Sequence, residues 1–277
     1  MKRKLSFLFI ILAVISISCN KNNKKSDLEK DDLKGKVKYI EEKTYTTVDK
    51  FGEPIIDEIE SISVTKYNTE GNKQFINSYN ADGSLSDKTI IKYDSKGNYI
   101  EENLYNSDGS LVGKVIKKFD SKENWIEDNW YCADGSLSKK VIQKYDPKGN
   151  RIEQNIYNAD GSLSRKMINK YDSKGNCIED NYYNADGSLL GKAIQKYDSN
   201  GNFIEGNAYN SDGSFLEKFI NKYDSKENWI KKEESDDKGL VFRITERKIV
   251  YYGDKDENNH AEWDDKDYMG KVITTKK

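Results

Sequence analysis

One unit of 26 residues, written six times in register, limits what this chain can fold into. Copies open at Tyr67, Tyr93, Phe119, Tyr145, Tyr171 and Tyr197, and Tyr223 opens a seventh that diverges. Residues 93–118 read YDSKGNYIEENLYNSDGSLVGKVIKK. Repetition at a fixed period marks an array, in which one small supersecondary unit is stacked on its neighbours. Each copy carries two turn signals, Y-D-S-K-G-N as at Tyr171 to Asn176 and Y-N-A-D-G-S as at Tyr157 to Ser162. Both put Asp or Asn first and Gly fourth, the chemistry of a type I turn closed by a left-handed glycine in a G1 bulge. The stretches between turns have ordinary strand length.

Turns of this kind pair Tyr157 with Leu163, Tyr145 with Arg151 and Phe119 with Trp125. With side chains alternating between faces, one face is expected to collect the opening Tyr, the residue after G-N, the mid-copy Tyr and the Leu after D-G-S. Val115, Val141 and Met167 join it. The other face is expected to hold Ile100, Ile126, Ile152, Ile178 and Ile204 with Ile116, Ile142, Ile168 and Ile194, together with Lys114, Lys118, Lys140 and Lys144. Lysine stems can cover isoleucines while their heads stay wet, so the aromatic face is the one to bury. The expected fold is all-β: an extended, twisted antiparallel β-hairpin repeat array, a meander-like coiled sheet of about sixteen strands.

The ends lack the repeat's wording. Residues 33–66 read as an N-terminal capping hairpin, with strand-like runs Val37–Val48 and Ile55–Lys66 joined at Phe51-Gly52-Glu53-Pro54. Residues 67–222 hold the six repeats, 223–252 a C-terminal capping repeat with a hairpin around Asp237-Lys238-Gly239, and 253–277 a polar tail. Glu123 and Glu227 stand where the turn wants Gly, at a cost on the order of 1 kcal/mol each.

Residues 1–19 have the layout of a secretory signal: Lys2, Arg3 and Lys4, an apolar run from Leu5 to Ile17, then Ser18 and Cys19. The run is short for a membrane span. Small residue followed by Cys resembles a bacterial lipoprotein signal, which implies cleavage after Ser18 and lipid on Cys19. Residues 20–32 (NKNNKKSDLEKDD) read as a flexible tether. The chain is then expected to be exported and lipid-anchored to the bacterial cell envelope, at the outer membrane or cell surface. Cys132 and Cys177 fall at different offsets, four strands or roughly 19 Å apart, and are expected as free thiols.

The recurring Y-D-x-x-G-N-x-I unit, from Tyr67 to Ile230, resembles the YD (RHS-type) repeats of bacterial surface and toxin-associated proteins. It differs in having Asn after the Gly where Arg is common. The resemblance implies strands spiralling into a sheet or shell. Large relatives enclose a toxin domain, which is not expected here. The D-G-S-L half resembles the short turn repeats of some bacterial cell-surface binding modules.

Composition narrows the chemistry. The net charge is −2, with 46 basic and 48 acidic residues interspersed, so no basic face for nucleic acid is visible. His260 is the one histidine, which excludes His-clustered metal sites. Glu101, Glu127, Glu153, Glu179 and Glu205 recur at one repeat position about 10 Å apart, near the spacing of an inverting glycosidase pair. Recurrence in every unit beside Asn103, Asn129, Asn155 and Asn181 favours a polar ladder over an active site. The D-x-D-x-D-G calcium spacing is missing. No enzyme activity and no cofactor are expected. Trp130 and Tyr182, placed on the Ile/Lys face, and then Trp125 are the candidate ligand-binding aromatics, for a glycan or a protein. The chain therefore reads as a non-catalytic, membrane-tethered binding or scaffold module, with a toxin-associated or immunity protein of the YD-repeat class as the alternative.

Overall fold

The computed structural model describes residues 26–95 and 97–254. The signal, Cys19 and the tail from 255 lie outside the described residues. The chain makes one short helix, α1 (Asp27–Lys30), and sixteen strands. The first four are β1 (Val37–Lys50), β2 (Glu53–Tyr67), β3 (Lys73–Tyr79) and β4 (Leu85–Tyr93). The repeats continue through β5 (Tyr99–Asn106), β6 (Leu111–Phe119), β7 (Trp125–Cys132), β8 (Leu137–Tyr145), β9 (Arg151–Asn158) and β10 (Leu163–Tyr171). They end with β11 (Cys177–Asn184), β12 (Leu189–Tyr197), β13 (Phe203–Asn210), β14 (Phe215–Tyr223), β15 (Trp229–Ser235) and β16 (Val241–Tyr251).

Every strand pairs antiparallel with its neighbours in sequence, and β1 also pairs with β16, from Tyr39 opposite Val250 to Thr46 opposite Arg243. The sheet is thus a closed barrel and not the open coiled array expected from the repeats. The end hairpins differ from the middle because they meet each other. Closure satisfies the two edges that an open sheet would expose. Sixteen strands at about 4.8 Å make a perimeter of roughly 77 Å, a girth at which inward side chains line the interior rather than fill it.

The turns form as the sequence dictates. Asn158 N–H donates to the Ser162 carbonyl at 2.9 Å and Gly161 N–H to the Asn158 carbonyl at 3.0 Å, with Gly161 at φ 83°. Glu123 and Glu227 keep the same turn at φ 65° and 64°, so the left-handed residue is retained and its strain accepted. Asn200 Nδ2 donates to Glu227 Oε1 at 2.8 Å. Glu123→Gly is expected to stabilise the fold by about 1 kcal/mol in chemical denaturation, by relief of that strain. No change, or a loss, would show the glutamate to be held by packing.

Pairing at the strand ends is as expected: Tyr145 faces Arg151, Tyr157 faces Leu163 and Phe119 faces Trp125. The next pairs are not. Lys144 faces Glu153 and Ile156 faces Arg165, leaving Ile152 and Ser164 as extra residues. A bulge of this kind sits in each repeat hairpin and reverses side-chain parity within it. The expected aromatic face is therefore split. The opening Tyr and the residue after G-N turn inward with Val115, Val141 and Met167. The mid-copy Tyr and the Leu after D-G-S turn outward, in register with the Ile/Lys positions. Inward and outward differ in exposure: the Lys117 and Asp128 side chains are 10% and 3% exposed, Lys118 on the outer face 59%.

Residues 26–32, part of the expected tether, are folded. Ser26 caps α1, accepting from Glu29 N–H, while Glu29 Oε2 accepts from Ser26 N–H at 2.7 Å. Asp27 is buried and accepts from the Tyr93 hydroxyl and from Lys73 N–H. Asp31 accepts from the Tyr67 hydroxyl at 2.6 Å. Lys34 N–H donates to Asn228 Oδ1 at 2.7 Å. This strap therefore runs along the Y-D-x-x-G-N rim from β4 to the β14–β15 turn. The two buried apolar clusters described both lie at the closure: Leu28, Leu33, Val37, Ile40 and Tyr67 in one, Tyr39, Val64 and Val250 in the other.

Candidate functional site: the inner wall of the barrel

The site is built on a tyrosine stitch. From the fourth copy on, the opening Tyr reaches back along the wall to the carbonyl of the residue that follows the turn Asn in the copy before. Tyr145 donates to Trp125, Tyr171 to Arg151, Tyr197 to Cys177 and Tyr223 to Phe203, all between 2.7 and 2.9 Å. Burial raises these phenols, Tyr145 to about 12, so they remain donors at any physiological pH. The stitch fixes one rim of the wall and the height of the side chains above it.

Above the stitch lies a band whose chemistry changes from strand to strand. On β5 to β7, the Lys117 ammonium stands 3.0 Å from Glu102 and 3.6 Å from Asp128, and 4.1 Å from the Trp125 ring centroid. Trp125 Nε1 donates to Asp128. Burial pushes the Asp128 carboxyl up to about 6, against the attraction of Lys117. On β7 and β8, the Lys139 ammonium lies 3.8 Å from the Trp130 centroid, and burial lowers its pKa. On β9, Arg151 Nη1 donates to Gln154 Oε1 at 2.9 Å. Asp180 on β11, 0% exposed, accepts from Asn169 Nδ2, from Gln195 Nε2 at 2.6 Å and from the Cys177 thiol at 3.2 Å. Burial raises both Asp180 and Cys177. Trp130 Nε1, Gln143 Nε2 and Arg151 Nε are buried without a hydrogen-bond partner.

Trp125, Trp130 and Tyr182 all lie on this wall. Trp130 faces Val115 and Tyr182 faces Met167, so these two are inward and not on the Ile/Lys face, because the bulge flips them. Trp125 and Trp130 share β7. Tyr182 stands four strands away, roughly 19 Å, and the three make a stripe rather than one pocket. Cys19 lies outside the described residues. Cys132 and Cys177 are free thiols, the first exposed and the second buried.

Lys117, Asp128, Lys139, Arg151, Gln154 and Asp180 were not singled out from sequence. A signal for them exists in the copies themselves. Outward positions repeat: Glu101, Glu127, Glu153, Glu179 and Glu205 are one residue written five times. Inward positions other than the opening Tyr do not. Three residues after the post-G-N position stand Glu102, Asp128, Gln154, Asp180 and Gly206; two further on stand Leu104, Trp130, Ile156, Tyr182 and Ala208.

The outer wall is an ionic ladder. Lys144 and Lys166 flank Glu153 at 2.8 and 3.0 Å, and Lys196 and Lys218 flank Glu205 at 2.6 and 2.9 Å. Hydrogen bonds from these lysines hold Glu153 and Glu205 at about 2. Asn155 and Asn207 add a donor to the same carboxylates. The recurring glutamates are thus hydrogen-bonded rungs. An apolar belt about 25 Å tall, as a lipid-facing barrel needs, is absent from the described strands. Among the described residues no helix is long and apolar enough to cross a membrane.

No family model and no curated protein matches the chain. Among solved structures, it shares its fold with a porin-like protein from Bacteroides uniformis ATCC 8492, at TM-score 0.52 and 9% identity, over 77% of this chain and 98% of that one. A porin-like protein from Bacteroides vulgatus ATCC 8482 matches at TM-score 0.44 and 11% identity, over 78% and 98%. TcdB2-TccC3 without its hypervariable C-terminal region matches at TM-score 0.22 and 12% identity, over 72% of this chain and 15% of that one.

Proposed function

We propose that this chain is a non-catalytic binding module of the bacterial envelope. In this reading it is held to a membrane by lipid on Cys19 and takes a glycan against the inner wall of its barrel. One observation carries the reading: within a single array the outward residues are copied, while the inward ones above the tyrosine stitch are individual. Drift would blur both faces alike. A wall made different at each strand suits recognition of one extended ligand. Its materials fit a carbohydrate, since aromatic rings (Trp125, Trp130, Tyr182) alternate with amide, carboxylate and guanidinium groups that pair with hydroxyls. The Lys/Glu ladder supports a water-facing barrel with an anchor rather than one immersed in lipid, since lysine at a bilayer midplane costs about 2–4 kcal/mol.

The test is a glycan array probed with the full chain, followed by titration of the best hit. Binding without sugar release is expected, weakened at least tenfold by Trp130→Ala and Trp125→Ala. Ile152→Ala on the outer wall should leave it unchanged. Release of sugar, or binding indifferent to both tryptophan changes, would overturn the reading. The repeat wording supports a second reading, a toxin-associated or immunity protein of the YD class, which recovery of one tight-binding toxin with the chain would favour.

A further inference from the structure

The ends of β1 and β2 rise past the rim as a two-stranded arm. β16 leaves β1 at Thr46 and β3 leaves β2 at Ile62. Beyond those pairs, β1 and β2 have only each other as ladder partners among the described residues, Thr47 facing Ile56, Val48 facing Ile55 and Lys50 facing Glu53. From Ser61 to Glu53 the second edge of β2 has no ladder partner among the described residues, over about 25 Å of backbone. The arm's apolar side chains are in water: Val48, Ile55 and Ile56 are exposed, and Phe51 at the tip is 105% exposed with φ 60°. A lone hairpin of this kind is marginal by itself. Its base is pinned by Arg243, which bridges β1 to hold Glu60 at 2.7 and 3.0 Å, and by Thr47, whose hydroxyl donates to the Val241 carbonyl at 2.6 Å.

We infer that the β2 edge of this arm accepts an added strand from another polypeptide whose side chains alternate basic and apolar. Strand addition supplies partners for the free backbone groups, and alternate side chains give the specificity. Charge selects the occupant. Between Thr47 and Ser61 stand Asp49, Glu53, Asp57 and Glu58 against one lysine, Lys50, besides Glu60, which Arg243 holds. On the repeat strands acid and base are matched rung by rung; on the arm they are not. A second copy laid edge to edge would set these carboxylates against themselves, and like charges directly opposite destabilise a sheet. A basic strand neutralises them, while its apolar residues, all on one face, lie beside Ile56.

The probe is a labelled nine-residue peptide of alternating Lys and Val, titrated into the full chain and read by fluorescence anisotropy. It is expected to bind at least tenfold more tightly than the same peptide N-methylated at every second backbone nitrogen, and than its Glu/Val counterpart. Asp57→Lys combined with Glu58→Lys should weaken Lys/Val binding at least tenfold with the barrel's melting unchanged. Equal binding of the N-methylated peptide would show charge attraction without strand addition and overturn the inference. So would absence of Lys/Val binding, or sedimentation showing a dimer abolished by the double substitution.

Discussion

Tyr39→Ala is expected to destabilise the barrel by about 3–5 kcal/mol, the range for truncating a fully buried aromatic ring. The residue is 0% exposed, packed with Val64 and Val250 and against Tyr79. Two ammonium groups, Lys38 at 5.3 Å and Lys66 at 5.8 Å, lie over its ring. It faces Val250 across one ladder and Lys66 across the other, so one side chain locks both neighbours of the strand that closes the ring. Elsewhere apolar burial is thin, one or two buried apolar side chains per hairpin, and loss of any one should cost less. Chemical denaturation followed by tryptophan fluorescence checks this, with Phe51→Ala as a control expected within about 0.5 kcal/mol of the parent because its ring is in water. A loss below about 1 kcal/mol for Tyr39→Ala would mean that the array holds itself together without its closing seam.

The second large effect depends on pH. Burial pushes Asp128 up to about 6 from its ordinary 3.8. Between those values the folded chain keeps a proton that the unfolded chain has released. Protonation of Asp128 therefore supports folding fully below about 3.8, and that support is lost as the pH rises through 6. Each pKa unit corresponds to about 1.4 kcal/mol, so the span is worth on the order of 3 kcal/mol. Asp128→Asn keeps the shape and removes the titration, and Lys117 retains Glu102 at 3.0 Å. The variant should match the parent near pH 4 and exceed it by about 2–3 kcal/mol at pH 7.5, measured as paired unfolding curves across that range. A difference that does not change with pH would show that Lys117 already offsets the cost of burying the charge.

The sequence carries the local structure of this protein almost completely. Asp or Asn first and Gly fourth specify a turn, and the turns appear at those places, even where Glu123 and Glu227 must take a positive φ. The first cross-strand pair after each turn follows from the turn alone. Two things do not follow. The extra residues at Ile152 and Ser164 have no marker, such as a glycine, of their own. Missing them inverts the parity of Trp130 and Tyr182 and so moves the candidate site from one side of the sheet to the other. Closure is equally unmarked. Val37, Tyr39 and Val250 read as ordinary strand residues, and only total twist decides whether the first strand reaches the last. The individuality of the inward positions was open to inspection, but it acquires meaning once the pairing sorts residues by face.

Because the ring closes on itself, the number of copies sets the barrel's width and not its height. Each 26-residue unit contributes two strands, so gain or loss of one copy changes the perimeter by about 9.6 Å and preserves the even count that antiparallel closure demands. The strap, which runs over the closing strands between β4 and the β14–β15 turn, would keep its span. A family built from this unit would vary in calibre by fixed steps, with bore and ligand size changing together while each hairpin stays the same.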